Sequence, residues 1–176
     1  MEQKGEAKME QTYVIENCKS FNVRDIFECG QCFRWNEQED GSYTGIFGKN
    51  VLNVKQEPEK KIIITGICDG DIEEACRKYF DLDRDYEAIK EKLASIDEYM
   101  QESIKYGEGI RILNQDLWEM IISFIVSANN NIPRIKGIID RMSKKYGTCI
   151  VFRGQEYYTF PTPEALATAS MEDLRA

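Results

Sequence analysis

Histidine is absent from this 176-residue sequence. Its absence removes every mechanism that needs a Ser–His or Cys–His pair or a His-ligated metal within these residues. The sequence also lacks any run of roughly 18 apolar residues, so no membrane-spanning helix is expected. Residues Met1 to Glu10 are charged and lack the apolar h-region of a secretory signal; they read as a disordered tail. Six cysteines are present, but the single CxxC, Cys29-Gly-Gln-Cys32, has no second pair at zinc spacing. Free thiols are the expectation, with no metal and no organic cofactor. A positive charge balance is missing too: the net charge is −8.

That charge is unevenly spread. Residues 113–176 hold seven Lys/Arg and seven Asp/Glu, so residues 1–112, with 16 basic and 24 acidic residues, carry the whole excess. Within 125–155 there are six basic residues and one acid, Asp140, a local +5. A basic stripe on a helix is most often a solvated face, and it favours an anionic partner only modestly.

What the sequence has is a polar corner between two helices, in the stretch Ser123-Phe-Ile-Val-Ser-Ala-Asn-Asn-Asn-Ile-Pro-Arg134. Asn disfavours helix interiors because its amide competes for backbone hydrogen bonds, but it suits caps and turns. Asn131 is placed to cap the second helix, and Pro133 sits in the first turn, where a missing N–H matters little. Such a corner either simply turns the chain or presents amides, with Arg134 beyond them, to a base edge or a phosphate.

The helix before the corner starts at Asp116-Leu-Trp-Glu119 and is apolar almost all round, which predicts a place in the centre of a core. The helix after it runs from Pro133 to Tyr146, with Ile135, Ile138, Ile139 and Met142 on one face. Its lysines Lys136, Lys144 and Lys145 are predicted on an outer basic face, and Gly147 as its C-cap. Upstream, strands are expected at 12–18, 30–35, 42–47, 51–55 and 61–65, joined by short turns such as Asp40-Gly41. A short helix is expected at 21–27. Further helices follow Asp71, Asp85 and a capping box at Ser95-Ile-Asp-Glu98. Short helices start again at Thr162-Pro163 and at Ser170, the last one running out at Ala176 within its second turn.

Four segments in this order resemble the 8-oxoguanine DNA glycosylases of the helix-hairpin-helix superfamily. They are Gly30-Gln-Cys-Phe-Arg-Trp35, Arg77-Lys-Tyr-Phe-Asp-Leu-Asp83, Gly109-Ile-Arg-Ile-Leu-Asn-Gln-Asp116, and the asparagine corner through Arg134. Phe160-Pro-Thr-Pro-Glu-Ala-Leu166 is similar to the family's next helix entry. The resemblance spans roughly residues 12–176 and implies an α+β fold. An antiparallel sheet subdomain with helices, 11–112, would be followed at 113–176 by the first helices of an all-helical glycosylase domain that looks truncated.

The function it implies is base excision repair: an oxidised guanine is flipped out of duplex DNA and read in a pocket, at a cost of a few kcal/mol of unstacking. By the motif match, Asn129 and Arg134 would hold the orphaned cytosine, with Asn131 as a further DNA contact. Gly30 would set its carbonyl against the N7–H that distinguishes 8-oxoguanine, although a glycine there also suits a plain turn. The family's Schiff-base lysine, its assisting aspartate, its aromatic wedge and its glycine hairpin would all lie in a segment after Ala176. The chain alone is therefore expected to lack glycosylase and lyase activity. It would act as a monomer on lesion-bearing duplex DNA in the cytoplasm, associated with the nucleoid, and would need that missing segment. The alternative is a non-catalytic damage-binding fragment or one half of a split protein. A truncated enzyme would expose the apolar face of helix 116–128 and aggregate.

Overall fold

The computed structural model describes residues 9–172. The fold is α+β. Five antiparallel strands form one sheet in the order β1-β5-β4-β3-β2, with β1 Gln11–Ile15, β2 Trp35–Glu37, β3 Tyr43–Phe47, β4 Asn50–Glu57 and β5 Lys61–Ile67. Short turns fix the register, so Tyr43 faces Val54 and Val54 in turn faces Ile64. Side chains alternate between the two faces of each strand. One face therefore gathers Tyr43, Leu52, Val54, Ile62 and Ile64, while the other presents Ile46, Val51 and Ile67.

The first face is covered by α1 (Val23–Glu28) and α2 (Ile72–Tyr79). Asn22 caps α1 by accepting from the Arg24 and Asp25 amides, and Asp71 caps α2 through the Glu74 amide. Trp35 lies at the centre of this layer. It stacks on Phe27 at 4.1 Å between centroids, and its indole N–H donates to the Tyr79 hydroxyl at 2.9 Å. Gly45 makes that possible, because a Cβ there would stand 2.4 Å from the indole. Arg111 is buried behind the layer and knits the chain together. Its guanidinium donates to the carbonyls of Ser20 (2.8 Å) and Asp81 (2.7 Å) and lies 4.4 Å above the Tyr86 ring.

The second face is covered by a hairpin that the sequence pattern had not suggested, β6 (Cys149–Phe152) and β7 (Gln155–Tyr158). Its turn, Arg153-Gly154, has positive φ at both residues, the handedness that matches strand twist. Phe152, Ile150 and Tyr157 pack on Ile46, Val51 and Ile67.

The remaining helices are α3 (Tyr86–Ala94), α4 (Glu98–Tyr106), α5 (Leu117–Ser127), α6 (Ile132–Tyr146) and a short α7 (Pro163–Leu166). Two sequence expectations shift here. Residues 30–34 are not strand; pairing begins only at Trp35. The cap of α4 is Asp97, whose carboxylate accepts from the Met100 amide, while Ser95 ends α3. A carboxylate one residue before the helix competes better for the free amides than a hydroxyl farther back. The tail expected at 1–10 lies mostly outside the described residues, as does the end of the helix expected after Ser170.

Candidate nucleic-acid interface

The three asparagines do three different things. Asn129 has φ +51, the left-handed conformation that Asn tolerates, and this residue makes the turn out of α5. Asn130 locks the corner: its amide nitrogen donates to the Val126 carbonyl at 3.0 Å, and its side-chain oxygen accepts from the Asn131 amide at 3.0 Å. Asn131 caps α6, accepting from the Arg134 amide at 3.1 Å. Its carbonyl oxygen is thus occupied by the fold and its NH2 group remains. Among the described residues the Asn129 side chain has no partner, and Arg134 stands exposed without one. A free amide, a free guanidinium and the positive end of a 15-residue helix dipole therefore meet at one corner. The set offers donors and an acceptor to a base edge, and charge to a phosphate.

Of the three α6 lysines expected on an outer basic face, Lys144 and Lys145 are exposed there and Lys136 is not. Lys136 turns inward, its ammonium donating to the Trp35 carbonyl at 2.7 Å and lying 3.4 Å from the Asn36 side-chain oxygen. Lys144 is paired with Asp140 at 2.9 Å, and Lys145 lies over the Tyr146 ring. Arg134 and Arg141 remain as exposed, unpaired cations of this helix among the described residues.

Gly30 sits in the bend after α1 with φ +85, a conformation that side chains resist, and a Cβ there would meet nothing within 4 Å. The glycine is needed for its backbone angle, and the space beside it is open. Gln31 pins that bend. Its amide nitrogen donates to the carbonyls of Ile26 (2.9 Å) and Arg111 (2.8 Å), and its amide oxygen accepts from Leu113 N–H (2.9 Å). Gln115 donates back to the Gln31 carbonyl at 2.6 Å. The segment 109–116 therefore serves as a backrest for the Gly30 bend. Its many polar residues were the available signal, but which partner they served was not readable from local sequence.

Farther along the bend, Arg34 reaches Glu119 on α5 at 3.4 Å, with the two side chains 8% and 14% exposed. It also donates to the Tyr158 carbonyl on β7. Burial pushes the Glu119 carboxyl above its ordinary range, with Arg34 pulling it partly back, and burial lowers the Arg34 guanidinium. Both shifts say the same thing: loss of water outweighs mutual attraction at this pair.

This pair inverts α5. Its charged residue and Ser123 point inward, while Leu117, Met120, Ile121, Phe124 and Ile125 point out, Leu117 and Phe124 being 70% and 79% exposed. The sequence predicted a helix central to a core. In this chain it is a surface helix with its apolar stripe to solvent.

All six cysteines are free, Cys29 and Cys149 being exposed. Burial raises the Cys32 thiol to about 12, so the CxxC lacks a ready thiolate at that sulfur. Among the described residues no cluster of His, Cys, Asp and Glu is placed to hold a metal ion, and no helix is long and apolar enough to cross a membrane.

Comparison with known proteins follows the same lines. Residues 14–121 match the family described as 8-oxoguanine DNA glycosylase, N-terminal domain. The chain is 30% identical over 163 residues to the N-glycosylase/DNA lyase of Saccharomyces cerevisiae, a match that takes in 85% of this chain and 43% of the yeast protein. Among solved structures, the 8-oxoguanine glycosylase/lyase of Clostridium acetobutylicum in complex with double-stranded DNA containing cytosine opposite 8-oxoG superposes with a TM-score of 0.88. It is 41% identical, and the match covers 97% of this chain and 59% of that one. MBOgg1 in complex with a low-affinity DNA ligand is 47% identical with a TM-score of 0.87, covering 93% of this chain and 56% of its own. The chain thus spans under half of the yeast relative and under three-fifths of the two solved chains. Its motifs, its fold and these likenesses agree: the chain belongs to the 8-oxoguanine DNA glycosylase family.

Proposed function

We propose that this chain is the damage-recognition portion of an 8-oxoguanine DNA glycosylase/lyase and that it acts in base excision repair. Residues 11–112 would form the α+β portion carrying the lesion contact at Gly30. Residues 113–176 would form the helical portion carrying the opposite-base contacts Asn129 and Arg134 and a further DNA contact at Asn131. The observation that carries this reading is the corner itself, where Asn130 and the Asn131 oxygen are consumed in building the turn while Asn129 and Arg134 are left facing out. Cytosine presents an amino donor and ring acceptors, which the Asn amide and the Arg guanidinium complement. Of the α6 lysines, Lys136 is held by the Trp35 carbonyl and Lys144 by Asp140, and no excision chemistry is assigned to them. The chain would act as a monomer on DNA, and such a substrate brings with it a cytoplasmic, nucleoid-associated location.

The test is binding of the chain to duplexes carrying 8-oxoguanine opposite cytosine or adenine. Arg134→Ala is expected to cost roughly 1–3 kcal/mol of preference for cytosine, the worth of a bidentate base contact. Equal affinity for both duplexes in the unaltered chain would sink the assignment.

A second reading, one half of a split protein, is favoured by the outward apolar stripe of α5. Borohydride trapping on the same duplex separates the cases. An adduct formed by the chain alone would place a nucleophilic lysine within it. An adduct formed only with a second polypeptide would establish a split enzyme.

A further inference from the structure

We propose that Lys136 is a positioning residue that couples the reading of the opposite base to the reading of the lesion, a role that rests on the assignments of Arg134 and Gly30 given above. Lys136 lies two residues past Arg134 on the same helix, yet its ammonium is bonded across the molecule to the Trp35 carbonyl (2.7 Å), with the Asn36 side-chain oxygen at 3.4 Å. Those two residues close the bend that begins at Gly30. Three of the four residues between are held: Gln31 by the 109–116 segment, Cys32 by burial, Arg34 by Glu119 and the Tyr158 carbonyl. A shift of α6 at the corner is therefore passed to the bend, which has little freedom to absorb it.

Packing provides part of this connection, since α6 meets β7 and buries Ile135 and Ile139. Beside that contact a cavity of about 410 Å³ opens, bordered by Arg34, Asn36, Lys136 and Ser143. The Ser143 hydroxyl is buried there without a protein partner. Across such a gap, side chains do not transmit position by contact; a charge-assisted hydrogen bond does. The simpler role for Lys136 is to cover the open edge of β2, the outermost strand of the sheet. That role predicts no link between the two recognition events. A third role, a phosphate contact, predicts a change in salt dependence instead.

The experiment measures dissociation constants of the chain for four duplexes, 8-oxoguanine or guanine opposite cytosine or adenine, across a salt series. It compares the unaltered chain with Lys136→Met, which keeps the stem and removes the ammonium, and with Lys136→Arg. In the unaltered chain the preference for 8-oxoguanine is expected to be about tenfold greater opposite cytosine than opposite adenine. Lys136→Met should abolish that interdependence with the salt slope unchanged, and Lys136→Arg should restore it. Interdependence that survives Lys136→Met overturns the proposal. So does a uniform loss of affinity with the salt slope reduced by about one, which marks a phosphate contact. An unaltered chain with no preference for either base overturns the assignments of Gly30 and Arg134, and this coupling with them.

Discussion

Arg34 and Glu119 meet at 3.4 Å although 85 residues separate them in sequence, and neither side chain has more than 14% of its surface in water. The pair joins the bend that carries Gly30 to the helix that leads into the asparagine corner. Removing one partner leaves a buried charge alone, which typically costs about 3–5 kcal/mol. Glu119→Ala should lower unfolding stability by that order in a urea titration. Glu119→Gln keeps an acceptor for Arg34 but not its counter-charge, so it should recover only part of that loss.

The same pair gives a pH signature. Glu119 has its carboxyl raised in the folded state above the ordinary value of 4.5, so the folded chain holds that proton more tightly than the unfolded one. Its contribution to stability is fully present below 4.5 and is lost as pH rises through the raised folded value. Relative to Glu119→Gln, the unaltered chain should therefore lose stability on going from acid toward neutral pH. A constant difference across that window would mean that burial does not dominate at Glu119.

The corner's structural and functional asparagines are separable. Asn131→Ala removes the α6 cap and should cost about 1 kcal/mol, while Asn131→Ser or Asn131→Asp should recover most of it. Asn129→Gly removes a side chain that has no hydrogen-bond partner among the described residues and leaves the left-handed turn unstrained. It should weaken DNA binding with a smaller change in the urea midpoint than Asn131→Ala.

Gly30→Ala tests why a glycine stands there. With φ at +85 and open space around the position, the added methyl clashes with nothing but forces the backbone. A destabilisation of about 1–2 kcal/mol is expected from that strain alone. Loss of 8-oxoguanine preference larger than the loss of total DNA affinity would tie the position to lesion reading.

The outward stripe of α5 should govern self-association. Phe124→Glu places a charge on a side chain that is 79% exposed, so folding stability should change by no more than about 0.5 kcal/mol. Sedimentation at rising concentration should show the unaltered chain associating and the variant less so.

What could be read from the sequence was local. Asp71, Asp85, Asp116, Asn131 and Thr162 were all recognisable as caps, because a cap is decided within one turn. The meander from Tyr43 to Ile67 was readable for the same reason, each strand being bounded by its own turn. Long-range choices were not. An all-apolar helix such as α5 does not reveal which face is covered, and here a buried Arg34 drew its single acid inward. Lys136 looked like any other cation of a basic helix until the sheet edge was placed beside it. The hairpin 149–158 lacked the Asn-Gly or Asp-Gly signal, and Arg153 was accepted at positive φ because its side chain stacks on Phe152 and bonds Glu10 and Thr65. The four family segments pointed to the site, while the hydrogen bonds that hold Gly30 in place came only with the fold.

The uneven charge has a kinetic meaning. An acidic body that bears unpaired arginines at one helix is an oriented object in the field of a polyanion. Repulsion turns the acidic part away and lets the Arg134 end arrive first, so productive encounters are selected before any contact forms. Raising the salt concentration flattens that field within a Debye length, about 8 Å at physiological ionic strength. Collisions would then come from all sides, and most of them would strike a surface with nothing to hold.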